Sequence, residues 1–150
     1  MKKKICFIIN PISGVGKQKI VEQLVNEQLS AHDFEIEIAY TKAPHHATEL
    51  SKDAANRNFD IVVAVGGDGS VHEVSKGLIN STTALAILPC GSGNGLARHL
   101  GIPLNLKDAL KLIQQSKSMK IDTLKINNNS CVNVAGIGFD AHIADRKSVV

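Results

Sequence analysis

Hydrophobic and polar residues alternate along this chain in blocks that predict strands and helices in turn. The short apolar runs at 61–65 and 84–88 are typical of strands buried on both faces of a parallel sheet. Residues 17–30 instead repeat apolar side chains at helical spacing, which predicts an amphipathic helix. Strands that alternate with helices imply βαβ units, so the predicted fold class is a layered α/β domain with a mostly parallel sheet.

The same pattern predicts an element for most of the chain. Strands are expected at 4–10, 35–40, 61–65, 84–88 and 118–126, and helices at 17–30, 46–58, 71–80, 96–100 and 106–115. After residue 126, three consecutive asparagines indicate a turn, and residues 130–134 predict a strand that returns as a hairpin. We therefore expect residues 1–124 to form the α/β domain and residues 125–150 to begin a second, β-rich domain that is cut short.

The sequence Gly66-Gly67-Asp68-Gly69-Ser70 directly follows the apolar strand at 61–65. Glycines there allow a sharp turn and a close backbone approach to a ligand. Ser70 and Glu73 fit a capping box at the start of the next helix, which is one purely structural explanation for both residues. A glycine-rich turn that opens a helix N-terminus favours an anion and predicts a phosphate site.

Two more turns have the same composition. The strand at 84–88 leads into Gly91-Ser92-Gly93-Asn94-Gly95, and the first strand leads into a segment that contains Asn10, Pro11, Ser13 and Gly14. The three turns are expected to meet at the carboxyl edge of one sheet, where open α/β folds bind ligands. Asn10, Ser13 and Gly14 are predicted to cradle a phosphate or ribose, or else simply to turn the chain into a helix.

Two familiar nucleotide motifs are excluded. A P-loop requires a glycine where Pro11 stands and a serine or threonine where Gln18 stands. The dinucleotide-binding fingerprint is also absent, because the first turn lacks the third glycine at the required spacing.

Composition limits the remaining classes of function. The 150 residues carry 17 Lys and Arg against 14 Asp and Glu, and only 3% are aromatic, without tryptophan. Base-stacking platforms are therefore not expected, and nucleic acid is not a predicted partner.

Three widely spaced cysteines indicate a reduced cytoplasmic environment. Adjacent His45 and His46 lack the spacing of zinc ligands, so no metal ligands are assigned. No apolar stretch approaches the roughly 18 residues of a membrane helix, which predicts a soluble protein.

Taken in order, the motifs resemble the diacylglycerol kinase catalytic-domain family, which includes sphingosine and ceramide kinases and bacterial lipid kinases. The resemblance rests on the following segments: 10–14, Thr41 with His46-Ala47, 66–70 with Glu73 and Gly77, 88–94 with Ala97-Arg98, 100–103, and 136–141. Gly-Gly-Asp-Gly alone is also similar to NAD kinases and phosphofructokinases, whereas the turn that ends in Gly-Ile-Pro points to lipid kinases.

The resemblance implies an enzyme that uses ATP and Mg²⁺ to phosphorylate a lipid hydroxyl at a membrane surface. It leaves open whether this enzyme is a homodimer. The implied nucleotide-binding residues are Asn10, Pro11, Ser13, Gly14, Thr41, Gly66, Gly67, Asp68, Gly69, Ser70, Glu73, Gly91, Ser92, Gly93 and Asn94. Asp68 is the candidate catalytic residue, with three open roles: to orient Mg²⁺, to hold a water, or to accept the hydroxyl proton. The family's general base and metal-associated carboxylates are expected beyond residue 150.

Two departures from the family pattern bear on the substrate. Ser70 replaces the more usual threonine and keeps the hydroxyl, and Gly95 stands where diacylglycerol kinases typically have aspartate. The second departure leaves diacylglycerol and sphingoid-type acceptors both open. Arg98 is expected either at a phosphate or lipid head group or in a solvated ion pair, and Asp140 either at an interdomain cleft or in a plain turn. The alternative functions are a nucleotide-binding module without catalysis and, less favoured, an NAD kinase.

Overall fold

The computed structural model describes residues 2–12, 17–30, 32–115, 118–127 and 129–132. Strands and helices alternate through the first four strands, as the hydrophobic pattern predicts. The elements are β1 (Lys3–Ile9), α1 (Lys17–Gln28), β2 (Phe34–Tyr40), α2 (His46–Asn56), β3 (Ile61–Gly66), α3 (Asp68–Leu78), β4 (Ala84–Pro89), α4 (Gly95–His99), α5 (Leu106–Gln115), β5 (Leu124–Ile126) and β6 (Asn129–Cys131).

The first four strands form one parallel sheet in the order β2-β1-β3-β4. Ile9 at the end of β1 pairs with Tyr40 of β2 on one side and with Val65 of β3 on the other. The chain runs from β1 to its neighbour β2 on one side and then crosses to β3 on the other side of β1. The direction in which successive strands are added to the sheet therefore reverses at β1. In open α/β sheets a ligand crevice forms beyond the carboxyl ends of the strands at such a reversal.

Alternating side chains of β1 build two cores, one on each face of the sheet. Ile5, Phe7 and Ile9 pack with buried residues of α1 and α5, whereas Cys6 and Ile8 pack with those of α2, α3 and α4. All five side chains are buried, as expected of a central parallel strand covered by helices on both sides. The α/β fold class predicted from the sequence is confirmed.

Helices α2 and α3 approach each other closely on one face of the sheet. The Thr48 hydroxyl of α2 donates a hydrogen bond of 2.8 Å to the Glu73 carbonyl oxygen of α3. A Cβ at Gly77 would overlap the Ser51 hydroxyl and would lie 2.5 Å from the Thr48 carbonyl oxygen. Gly77 therefore allows α3 to pack against the backbone of α2, and this contact helps to fix the position of α3 on the sheet.

The hairpin predicted after residue 126 is present but shorter than expected. Strands β5 and β6 are antiparallel, with Leu124 opposite Cys131, and Asn127 in the turn has a φ of 54°. The predicted strand at 118–126 is wrong over 118–123, because within the described residues the ladder with β6 begins only at Leu124. The proposed domain boundary at 124/125 stays a prediction.

Candidate functional site

Backbone hydrogen bonds continue the sheet beyond its strands and bring the following turns together. The Thr41 N–H donates to the Ile9 carbonyl oxygen at 2.9 Å, and the Asn10 N–H donates to that of Val65 at 3.3 Å. The Cys90 N–H likewise donates to the Gly66 carbonyl oxygen at 2.9 Å. The turns after all four strands therefore start side by side at the carboxyl edge, as the sequence predicts for three of them.

A cavity of about 500 Å³ opens at this edge, over the ends of β1, β2 and β3. Its wall comes from the turn after each of those strands and from the first two turns of α3. The lining residues are Asn10, Pro11, Ile12, Thr41, Lys42, Ala43, Pro44, Ala47, Gly67, Gly69, Ser70 and Glu73. Seven of the predicted site residues are among them: Asn10, Pro11, Thr41, Gly67, Gly69, Ser70 and Glu73.

The N-terminus of α3 faces this cavity. Gly67 is the N-cap in an extended conformation, and the first helical hydrogen bond runs from the Val71 N–H to the Gly67 carbonyl oxygen at 3.1 Å. The predicted capping box is wrong, because the helix begins at Asp68 and Ser70 already lies within its first turn. Backbone N–H groups of a first turn have no partner within the helix. Because Gly69 and Ser70 of this turn line the cavity, the first-turn N–H groups of α3 form a potential anion-binding site there.

Gly67 and Gly91 let the turns after β3 and β4 touch through their backbones. A Cβ at Gly67 would lie 3.2 Å from the Gly91 Cα, and a Cβ at Gly91 would come closer still to the Gly67 Cα. Gly69 differs, because nothing lies within 4 Å of a Cβ at that position. Gly67 and Gly91 are thus explained by packing between the two turns, whereas Gly69 leaves open space beside the cavity.

The turn after β4 is held by its own side chains. Asn94 is buried at a φ of 52°, and its Oδ1 accepts the Gly91 N–H at 3.0 Å while its Nδ2 donates to the Gly91 carbonyl oxygen. Arg98 Nε donates to the Gly93 carbonyl oxygen at 2.9 Å. Gly91, Ser92, Gly93 and Asn94 do not line the cavity, although the first of them touches Gly67, which does.

Asp68 connects the two glycine-rich turns. Its Oδ1 accepts the Gly95 N–H at 2.7 Å, and its Oδ2 lies 2.8 Å from where a Cβ of Gly93 would stand. The carboxylate therefore sits between the start of α3 and the start of α4, and glycine at position 93 leaves room for it. Asp68 is not among the residues that line the cavity, although its neighbours in sequence, Gly67 and Gly69, are.

The segment between β2 and α2 forms the opposite wall. Thr41, singled out through the family resemblance, lines the cavity together with Ala47, which also carries the resemblance but is not a predicted site residue. Lys42, Ala43 and Pro44 line it as well and are not predicted site residues either. Lys42 directly follows Thr41 at a strand end on the sheet's ligand edge, and that position was the available signal for it. Among the described lining residues, Lys42 is the one cationic side chain and Glu73 the one anionic side chain.

Several predicted positions lie elsewhere. Ser13, Gly14, Asp140 and the segment 136–141 fall outside the described residues. Gly66 is the last residue of β3 and pairs with Pro89 of β4. No helix within the described part of the chain is long and apolar enough to cross a membrane.

Comparisons with known proteins identify the family. A sequence model of the diacylglycerol kinase catalytic domain matches residues 4–126. A Staphylococcus aureus diacylglycerol kinase is 32% identical over 142 residues, covering 92% of this chain and 44% of the relative. An uncharacterized Synechocystis protein is 29% identical over 151 residues, covering 93% of this chain and 35% of that protein.

Solved structures agree with these sequence matches. A Bacillus anthracis diacylglycerol kinase superposes with a TM-score of 0.75 at 27% identity, over 97% of this chain and 52% of that one. Another Bacillus anthracis structure reaches a TM-score of 0.76 at 31% identity, over 86% of this chain and 47% of that one. The chain belongs to the diacylglycerol kinase catalytic-domain family, a family of lipid kinases, and spans about half or less of the length of these relatives.

Proposed function

We propose that this chain is the nucleotide-binding part of an ATP-dependent lipid kinase, which transfers the γ-phosphoryl group of ATP to a lipid hydroxyl. The observation that carries the proposal is the cavity at the carboxyl edge of the sheet, with the N-terminus of α3 on its wall. Family membership supports a kinase, and the cavity supports a nucleotide as one of its substrates.

The cavity is suited to a triphosphate in both size and polarity. First-turn N–H groups of α3 and the positive end of its dipole favour phosphate oxygens, and Lys42 adds a positive side chain on the facing wall. Asn10, Thr41 and Ser70 contribute an amide and two hydroxyls that can hydrogen-bond to phosphate or ribose. Gly69 leaves space there, because nothing occupies the position of a Cβ.

The residues also fit a divalent cation bound together with nucleotide phosphates. No group of three or more His, Cys, Asp or Glu side chains within the described residues is placed to hold a metal ion. Mg²⁺ is commonly held by one or two carboxylates together with substrate phosphates and water, so Asp68 beside the phosphates would be a sufficient protein ligand. The cation would neutralise charge that develops during phosphoryl transfer.

We propose that Asp68 takes part in the chemistry. It would bind the cation, hold a water, or accept the hydroxyl proton. Its hydrogen bond with the Gly95 N–H fixes one carboxylate oxygen and so orients the other. Phosphoryl transfer depends chiefly on position and charge neutralisation, which an oriented carboxylate next in sequence to the cavity-lining Gly67 and Gly69 can serve.

The lipid acceptor is proposed only as a class, either diacylglycerol or a sphingoid-type alcohol. Gly95 carries no side chain at the position where the resemblance expects aspartate, which is why both acceptors are retained. The lipid would be met by a cytoplasmic enzyme at the membrane surface. The general base that the family resemblance implies would lie in the part of such an enzyme that follows residue 150.

The test is calorimetric titration of MgATP into the 150-residue chain, with Gly69→Leu as the principal variant. We expect binding by the wild-type chain and its loss in Gly69→Leu, because the added side chain enters the cavity without meeting protein atoms near its Cβ. Lys111→Ala on α5, across the sheet, is the matched control and should bind normally. Unchanged unfolding temperatures would show that Gly69→Leu acts on the site.

Absence of MgATP binding to the wild-type chain would overturn the proposal for this chain. Binding of MgATP without lipid phosphorylation by a longer protein that continues beyond residue 150 would favour the alternative, a nucleotide-binding module. Phosphorylation of NAD in place of a lipid would favour an NAD kinase.

A further inference from the structure

The turn between β2 and α2 is closed by the His46 side chain. Lys42 donates its backbone N–H to His46 Nδ1 at 3.1 Å, and the His46 N–H donates to the Ala43 carbonyl oxygen at 3.3 Å. His45, the N-cap of α2, has a φ of 67° and makes no side-chain capping bond. The imidazole thus supplies an acceptor for a backbone donor that precedes the helix.

This contact defines which nitrogen of His46 carries no proton. Nδ1 accepts a hydrogen bond only as the unprotonated nitrogen of a neutral imidazole, so the ring proton lies on Nε2. His46 is half-buried, whereas Lys42 is exposed along the rim of the cavity. The ring is therefore the more constrained partner and holds the main chain of Lys42.

The residue held in this way bears the positive charge on the cavity wall. A nucleotide triphosphate is strongly anionic, and the Glu73 carboxylate, which also lines the cavity, repels it. A lysine ammonium contributes more to the binding free energy when the main chain of that lysine is already fixed, because less conformational freedom is then lost on binding. The position of Lys42 should accordingly affect how tightly an anion binds.

We propose that His46 is a positioning residue for nucleotide binding, acting through Lys42. Its imidazole holds the β2–α2 turn so that the lysine ammonium is directed to the phosphate side of the cavity. The inference rests on the proposed function, because it assigns a role toward the same triphosphate.

Calorimetric titration of MgATP into the 150-residue chain and four single variants tests this role. His46→Ala should weaken affinity about fivefold, the order expected for one lost hydrogen bond. His46→Asn, whose Oδ1 can take the place of Nδ1, should stay within about twofold of the wild type, and His46→Gln should not. Lys42→Met should weaken affinity about tenfold through loss of the charge.

A double variant shows whether His46 acts through Lys42. In the Lys42→Met background, His46→Ala should change MgATP affinity by less than about twofold, because coupled residues are not additive. Slower amide exchange at Lys42 in the wild type and His46→Asn than in His46→Ala would report the hydrogen bond directly.

Wild-type MgATP affinity in His46→Ala, or full additivity with Lys42→Met, would overturn the inference and leave the proposed function standing. Failure of the wild-type chain to bind MgATP would overturn the proposed function and the inference with it.

Discussion

Asp68 joins the two glycine-rich turns of the site, because its Oδ1 accepts the backbone N–H of Gly95 at 2.7 Å across 27 positions of sequence. One carboxylate thus has a structural contact and a proposed chemical role at once. Substitutions that keep the acceptor but remove the charge can separate the two.

Asp68→Asn should fold almost as stably as the wild type and bind MgATP about tenfold more weakly, because the amide oxygen can still accept the Gly95 N–H but carries no charge. Asp68→Ala should lose about 1–2 kcal/mol of unfolding free energy as well. Urea unfolding and calorimetric titration measure the two effects. Wild-type affinity for MgATP in Asp68→Asn would show that the charge plays no part in binding.

Asn94 should stabilise the turn after β4 by two separable contributions, its side-chain bonds to Gly91 and its tolerance of positive φ. Asn94→Gly keeps the conformation but loses the bonds, so we expect a cost of about 1–2 kcal/mol. Asn94→Ala adds backbone strain of about 1 kcal/mol. Urea unfolding of both variants gives the difference, and equal stability of Asn94→Gly and wild type would argue against the side-chain brace.

Gly77→Ala should destabilise the protein by about 2–3 kcal/mol, because the new methyl group would meet the backbone of α2. Gly69→Ala is the matched control in the same helix and should be neutral or slightly stabilising, since its Cβ meets nothing within 4 Å. Adding Ser51→Gly should recover only part of the loss, because the Thr48 carbonyl oxygen remains 2.5 Å away. Thermal unfolding of the three variants decides this, and a fully recovered stability would place the conflict at the hydroxyl alone.

Burial raises the pKa of the Cys6 thiol from 9.0 to about 12, and nearby Glu37 adds to the rise. Iodoacetamide at pH 8 should therefore leave Cys6 unmodified in the folded protein, while the half-buried Cys131 reacts. Peptide mass spectrometry with and without urea measures this, and Cys6→Ser identifies the peptide. Because the folded-state pKa is the higher one, the thiol's contribution to stability is complete below pH 9.0 and is lost as the pH rises towards 12.

The elements of the sheet were predictable because the hydrophobic pattern of each segment is enough to indicate its secondary structure. Ile61–Gly66 is uniformly apolar and forms a central strand that is buried beyond the partly buried Ile61. Asn105 directly precedes α5, and its Oδ1 accepts the Lys107 N–H at 2.9 Å as a helix cap. The convergence of the turns also followed, since parallel strands bring their carboxyl ends to one edge. The family resemblance supplied Thr41, which by itself is an ordinary threonine at a strand end.

What the sequence could not show depends on contacts between distant segments. Ser70 and Glu73 match a capping box by spacing, yet the N-cap of α3 is Gly67, which lies against the backbone of Gly91 in the turn after β4. Lys42 and the close approach of Gly67 to Gly91 depend on how whole turns face one another. Spacing along a chain carries no information about such contacts.

The central position of β1 has a consequence for folding. Asn10, Thr41 and Gly67 share one cavity only when β1 is paired with both β2 and β3, so the site requires these three strands to be assembled. A nucleotide that binds only the folded state would add stability to the whole sheet, about 2.7 kcal/mol at a concentration 100 times its Kd. The binding site thus reports the assembly of these three strands, and its ligand would stabilise them together against unfolding.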